Sequence, residues 1–79
     1  MKEYQMKEYE FSLCVSGIEN EEQFSEELCF LFPETFYYVQ NNVHEVTFVR
    51  ESCGLLEAIM SAICDLKVLG VEPIKLTLL

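Results

Sequence analysis

A single histidine, His44, and four cysteines are the first candidates for a nucleophile, a general base or a metal ligand. A thiol beside an imidazole can act as a nucleophile, and Cys53 with His44 is the pair to consider. The cysteines, at positions 14, 29, 53 and 64, form no CxxC pair and lack the ligand spacing of a structural zinc site. No nucleophile elbow, paired carboxylates or glycine-rich phosphate loop is visible. The sequence therefore predicts a non-catalytic protein without cofactor or metal, with His44 as a solvated turn residue and buried or idle thiols.

Acidic side chains are the sharper feature. The chain has 14 Asp and Glu against 5 Lys and Arg, a net charge of −9, and no cation lies between Lys7 and Arg50. The glutamates of that stretch bracket one predicted helix: Glu19, Glu21, Glu22, Glu26, Glu27 and Glu34. Glutamates one helical turn apart are about 5–6 Å from each other, close to the spacing of phosphates along a nucleic-acid strand. We define the acidic row as Glu21, Glu22, Glu26 and Glu27, and we expect it to contact a protein partner with a basic surface.

The alternative for the acidic row is a solvated helix face that serves solubility. The same negative charge disfavours direct contact with nucleic acid or an anionic membrane, because both need clustered Lys and Arg. No apolar run approaches the roughly 18 residues of a membrane span. The first residues lack the apolar segment of a signal peptide, so a cytoplasmic location is predicted.

Apolar side chains exceed what a small core needs, since 51% of the residues are hydrophobic. Tyr37 and Tyr38 belong to an aromatic-rich strand, and Leu56 and Met60 lie on a predicted helix beyond its core stripe. Tyr and Phe are favoured at protein contacts. We therefore expect these four residues to contribute to a homodimer or a partner contact. The alternative for the aromatic residues is that they close the end of the core around Pro33.

Hydrophobic periodicity predicts one domain over residues 9–79 after a polar tail, residues 1–8. Met-Lys-Glu-Tyr occurs at 1–4 and again at 6–9, as a frayed tail or an early extension of the first strand. The predicted strands are 9–16, 35–40, 44–50 and 71–79. Helices are predicted from Asn20, a capping residue, to Pro33, and from after Gly54 to about residue 69.

This element order, βαββαβ, predicts a ferredoxin-like α+β fold with a four-stranded antiparallel sheet in the order 4-1-3-2 and two helices on one face. Pro73 cannot donate to a ladder, which places the last strand at an edge. Leu55, Ile59, Ala62, Ile63 and Leu66 form the expected core stripe of the second helix. The core is predicted to bury Phe11, Leu13, Val15, Phe24, Leu28, Val46, Phe48, Ile59, Ile63, Leu66 and Leu76.

Residues 48–59 (FVRESCGLLEAI), followed by 61–66 (SAICDL) and Gly70, carry a family resemblance. This stretch resembles the ferredoxin-like N-terminal domain of small bacterial regulators that carry a C-terminal helix-turn-helix. Their domains often read Phe-x-Arg-Glu, a cap, then Leu-x-Glu-Ala and Ser-Ala-Ile-x-Asp, and residues 9–17 are similar to their first strand. The helix-turn-helix is absent from this chain, so the resemblance implies the fold and not DNA binding.

RNA-recognition modules share the predicted topology and use aromatic and basic side chains on the open sheet face. The central strands here offer acidic or neutral residues instead, so RNA binding is not predicted. A short, acidic, single-domain chain is similar in type to phage-encoded inhibitors of bacterial defence, including anti-CRISPR proteins. We expect an inhibitor or regulator of a nucleic-acid-binding bacterial protein. The alternatives are a homodimerising structural or sensory module, related to the regulator domain, and, more remotely, a small thiol enzyme.

Overall fold

The computed structural model describes residues 6–79, which form four strands and two helices. The elements are β1 (Lys7–Ser16), α1 (Glu21–Leu31), β2 (Thr35–Gln40), β3 (Val43–Ser52), α2 (Leu55–Val68) and β4 (Glu72–Leu78). The strands form one antiparallel sheet in the order β2-β3-β1-β4. This is the predicted order counted from the opposite edge. The α+β class, the βαββαβ topology and the sheet order are therefore confirmed.

Local signals in the sequence set the ends of the helices. Asn20 has an extended backbone, and its side chain accepts a hydrogen bond from the Gln23 backbone N–H at 3.0 Å, as an N-cap does. The helix α1 ends before Pro33, and Gly70, with φ of 81°, follows the C-terminus of α2. With 11 and 14 residues, neither helix reaches the length of about 20 that a span requires. In residues 6–79, no helix is long and apolar enough to cross a membrane.

A tight hairpin connects β2 to β3. Asn41 and Asn42 both have positive φ, 52° and 63°, the conformation of the two-residue turn that matches the twist of antiparallel strands. Asn tolerates these angles better than most residues, so the sequence identified this turn correctly.

Two strands are longer than predicted. β1 begins at Lys7, whose Cα pairs with that of Ser52, so the predicted tail contributes its residues 7 and 8 to the sheet. β3 extends at both ends, from Val43 to Ser52. The remainder of the predicted tail, residues 1–5, lies outside the described residues.

Both helices pack on the same face of the sheet. That face buries Phe11 and Phe48, which are stacked with ring centroids 5.6 Å apart, and α1 contributes Phe24 and Leu28 to it. The α2 contribution is centred on Ala58, Ala62 and Leu66, all 0% exposed. The full buried set is Phe11, Leu13, Val15, Phe24, Leu28, Val46, Phe48, Ala58, Ala62, Leu66 and Val71.

Three residues of the predicted core are less buried than expected. Ile59 and Ile63 are half-buried at the margin of the core, because the α2 stripe is centred on the alanines instead. Leu76 is 41% exposed, although its Cα pairs with that of the buried Leu13. β4 is an edge strand, and the helices leave most of its length uncovered. Ile74 and Leu78 are exposed for the same reason.

Candidate functional site

The acidic row lies on α1, where the sequence placed it. Glu21, Glu22 and Glu26 are exposed, and Glu27 is half-buried. Glu21 and Glu22 occupy the first turn, where the positive end of the helix dipole stabilises carboxylates. α1 is held against the sheet by Phe24 and Leu28 on its opposite side.

The four glutamates do not form a single line. Successive residues of a helix are rotated by about 100°, so Glu22 and Glu26 are neighbours on the surface that faces away from the core. Glu21 instead approaches β3, with Oε1 3.7 Å from Nδ1 of His44. Glu27 is on the other flank, where its Oε1 accepts a hydrogen bond from Gln23 Nε2 at 3.0 Å. We call Glu22 and Glu26 the acidic ridge, with Glu21 and Glu27 on its two flanks.

Among residues 6–79, no Lys or Arg forms an ion pair with the acidic ridge. In the described part of the chain the cations are Lys7, Arg50, Lys67 and Lys75, and all four lie outside α1. Within residues 6–79 the ion pairs that involve Arg50 use Glu34 and Asp65 rather than the row. The ridge therefore presents uncompensated negative charge to solvent.

Arg50 forms the main polar cluster of the domain, which sequence reasoning did not identify. Its guanidinium is 2.7 Å from Glu34 Oε1, 2.8 Å from Asp65 Oδ2 and 3.0 Å from Ser61 Oγ. The charged group also lies 5.0 Å from the centroid of the Phe48 ring. These contacts join β3 to α2 and to the loop before β2. Two carboxylates and one hydroxyl thus contact the guanidinium, and 13% of the Arg50 side chain is exposed.

Tyr37 and Tyr38, predicted together as a contact, point to opposite faces of the sheet. Tyr37 is half-buried on the helix face, where its hydroxyl is 2.7 Å from Nδ1 of His44 and its ring meets Phe24 edge-on at 5.0 Å. Burial raises the pKa of the Tyr37 phenol, and the nearby Glu21 carboxylate raises it further. Tyr37 is therefore part of the rim of the core.

Tyr38 lies on the open face of the sheet, together with Phe36. Phe36 is 65% and Tyr38 45% exposed, and they lie beside Thr47 and Glu45 of β3. A hydrogen bond to Glu45 raises the pKa of Tyr38. Tyr38 was predicted as a contact residue, but the prediction for the open sheet face took in only the central strands and did not place Tyr38 and Phe36 there. The alternation of a strand places both on one face and was the signal that could have found them.

Leu56 and Met60 lie on the outer side of α2, one helical turn apart, and are 72% and 54% exposed. They form a small apolar surface, separate from the positions of Tyr37 and Tyr38. The four residues predicted as one apolar contact are thus distributed over three surfaces: the core rim, the open sheet face and the outer side of α2.

The structure does not bring together His44 and Cys53, the thiol–imidazole pair that was weighed from the sequence and not predicted. His44 lies near the start of β3 and Cys53 just beyond its end, about 30 Å apart for a strand of ten residues. His44 contacts Tyr37 instead, and it is half-buried rather than a solvated turn residue. Cys14 is half-buried, and Cys29, Cys53 and Cys64 are exposed. Of the two predicted alternatives, buried or idle thiols, burial is therefore wrong, and idle thiols stay a prediction. No group of three or more His, Cys, Asp or Glu residues in the described chain is arranged to hold a metal ion.

A shallow cavity of about 330 Å³ lies between the N-terminal end of α1 and the C-terminal end of α2. Backbone and side chains of Gly17, Asn20, Gln23, Glu27 and Gly70 contribute to its lining. No cation lies among its lining residues, and the carboxylate of Glu27 is already hydrogen-bonded to Gln23. Glu19 also lines the cavity, so its lining includes two carboxylates and no His, Cys, Lys or Arg.

Comparison of the chain with protein-family models, with curated proteins and with solved structures found no match. The resemblance to the regulator domain therefore stays a prediction. The function of this protein has to be inferred from its own surfaces.

Proposed function

We propose that this protein is a non-catalytic binding module that inhibits or regulates a nucleic-acid-binding protein by occupying its basic surface. The observation that carries the proposal is the acidic ridge of α1. Glu22 and Glu26 point away from the core, one turn apart, with no cation on their helix. A partner that binds phosphates along a strand offers Lys and Arg at a comparable spacing.

The charge distribution supports a protein partner over nucleic acid itself. The chain carries a net charge of −9, and its one described arginine is held by Glu34 and Asp65. The open sheet face presents four glutamates, Glu8, Glu10, Glu45 and Glu51, against one cation, Lys75. The phosphates of a nucleic acid would be repelled from the open sheet face and from the acidic ridge of α1. A cytoplasmic bacterial protein, such as a component of a defence system, is the kind of partner that we propose.

The experiment is capture of partners from bacterial lysate on the immobilised protein, compared with the double variant Glu22→Lys/Glu26→Lys. The variant Glu8→Lys/Glu10→Lys changes the net charge by the same amount on the open sheet face and serves as the matched control. We expect the wild type and the control to retain a nucleic-acid-binding protein and the ridge variant to lose it. A captured protein that all three baits retain equally would refute a role for the ridge.

A second candidate function is a self-associating structural or sensory module. The observation that favours it is exposed apolar surface, of which Leu56 and Met60 on α2 are one part. Light scattering at increasing micromolar concentrations, with Met60→Glu for comparison, tests an α2 contact. A wild type that stays monomeric throughout would remove this candidate.

A further inference from the structure

The two outer strands of the sheet differ in how they are protected against pairing with another strand. Proteins block exposed edges with proline, lysine or a β-bulge. β4 has all three: Pro73, Lys75 and a register shift opposite Cys14 and Val15. β2 has none of them, and its six residues, TFYYVQ, carry no charge in a chain with a net charge of −9.

The backbone of β2 has unused hydrogen-bonding groups on its outer side. The Glu34 carbonyl accepts a hydrogen bond from the Val49 N–H, which shows that even-numbered residues of this segment bond to β3. Hydrogen-bonded and non-bonded pairs alternate along an antiparallel ladder. Tyr37 and Val39 therefore direct their N–H and C=O groups away from β3. The Thr35 N–H bonds to the Phe32 carbonyl, and its own carbonyl also points outward.

We propose that β2 pairs antiparallel with β2 of a second copy of this chain, about a two-fold axis at Tyr37. In this register each Tyr37 exchanges hydrogen bonds with its counterpart, and each Val39 N–H donates to the Thr35 carbonyl of the other copy. Phe36 of each copy then lies directly opposite Tyr38 of the other on the open face. Side chains of non-bonded pairs are close together, and aromatic cross-strand pairs stabilise such ladders.

The side chains of β2 favour a second copy of this chain as the partner of this edge strand. The set Phe36, Tyr37 and Tyr38 is complementary to its own image about the axis, since each exposed aromatic ring meets one from the other copy. β2 itself carries no charge. Glu21 beside His44, Glu45 opposite Tyr38 and Glu34 just before the strand repel their counterparts in the other copy, so the pairing should depend on salt. The inference rests on the self-association of the second candidate function, and it places that contact on β2 instead of α2.

Hydrogen exchange tests this pairing directly. The amides of Tyr37 and Val39 point outward and are expected to exchange rapidly at low concentration and to become protected as protein concentration rises. The amide of Tyr38 in the same strand bonds to β3 and serves as the control, with protection that does not depend on concentration. Unchanged exchange at Tyr37 and Val39 in a sample that self-associates would overturn the β2 pairing.

Two variants with equal charge changes separate the possible contacts. Phe36→Glu is expected to abolish self-association measured by sedimentation, because it places a carboxylate against Tyr38 of the other copy. Leu56→Glu, on α2, is expected to leave it intact. Added salt should tighten the dimer by screening the repulsion between like-charged copies. A wild type that is monomeric at all concentrations overturns both the inference and self-association, whereas loss of the dimer in Leu56→Glu alone overturns only the β2 contact.

Discussion

The two helices of this domain differ on both of their sides. α1 packs on the sheet through the large side chains Phe24 and Leu28 and presents glutamates to solvent. α2 packs through Ala58, Ala62 and Leu66, which are fully buried, and presents Leu56 and Met60. One helix thus combines two large core side chains with an acidic outer side, and the other combines two alanines and one leucine with an apolar outer side.

This difference shows how a small domain can present two unlike surfaces over one core. The inner side of each helix determines how it packs on the sheet, and the outer side is free to serve a partner. Glu22 and Glu26 contribute little to packing, so their number and spacing are not explained by the fold. Leu56 and Met60 are likewise unexplained by the core, which is complete without them.

The largest expected effect comes from the bulky inner side of α1. Phe24→Ala removes a ring that is 5% exposed and meets Tyr37 edge-on, and it should cost about 3–5 kcal/mol of unfolding free energy. Leu56→Ala, on the outer side of α2, should change stability by less than about 0.5 kcal/mol. Urea unfolding followed by circular dichroism measures both. Equal losses in the two variants would contradict the assignment of inner and outer sides.

A smaller effect is expected from the alanines on the inner side of α2. Ala62 has 0% exposure, and Ala62→Leu adds carbon atoms where the helix lies against the sheet. Overpacking of this kind costs about 1–3 kcal/mol. The control Met60→Leu changes an exposed residue of the same helix and should alter stability by less than about 0.5 kcal/mol. Urea unfolding of Ala62→Leu that matches the wild type would show that α2 does not pack closely through its alanines.

Sequence patterns predicted the elements well because their signals are local. The Asn20 cap, the Asn41–Asn42 turn and the glycine after α2 each act within a few residues. The separation of Tyr37 from Tyr38 was equally readable, because adjacent residues of a strand face opposite sides.

Other features depend on tertiary contacts that no local pattern contains. The exposure of Leu76 follows from how little of β4 the helices cover. Arg50 of β3 forms ion pairs with Glu34, which lies well before it in the sequence, and with Asp65, which lies well after it. The acidic row was found from the sequence, but its division into a ridge and two flanks required the contacts of Glu21 and Glu27.

A still smaller effect concerns the pH dependence of stability where α1 meets β2. The pKa of Tyr37 is raised by burial and by Glu21, so folding favours the neutral phenol. This stabilisation is fully present below the ordinary tyrosine pKa of about 10 and is lost as pH rises through the higher value of the folded state. Tyr37→Phe should therefore lose less stability than the wild type between neutral and strongly alkaline pH. The free energy of unfolding, measured with urea, is compared between the two proteins as pH rises above neutral. An equal loss in the wild type and in Tyr37→Phe would contradict this prediction.

The most direct test of the central claim is the affinity of the captured partner for the protein across a range of salt concentrations. We predict that wild-type binding weakens steeply with added salt, that the partner's nucleic acid competes, and that Glu22→Lys/Glu26→Lys abolishes binding while circular dichroism shows an intact fold. The control Glu8→Lys/Glu10→Lys should bind like the wild type. Undiminished binding by the ridge variant would contradict the account and reduce the acidic row to a solvated helix face.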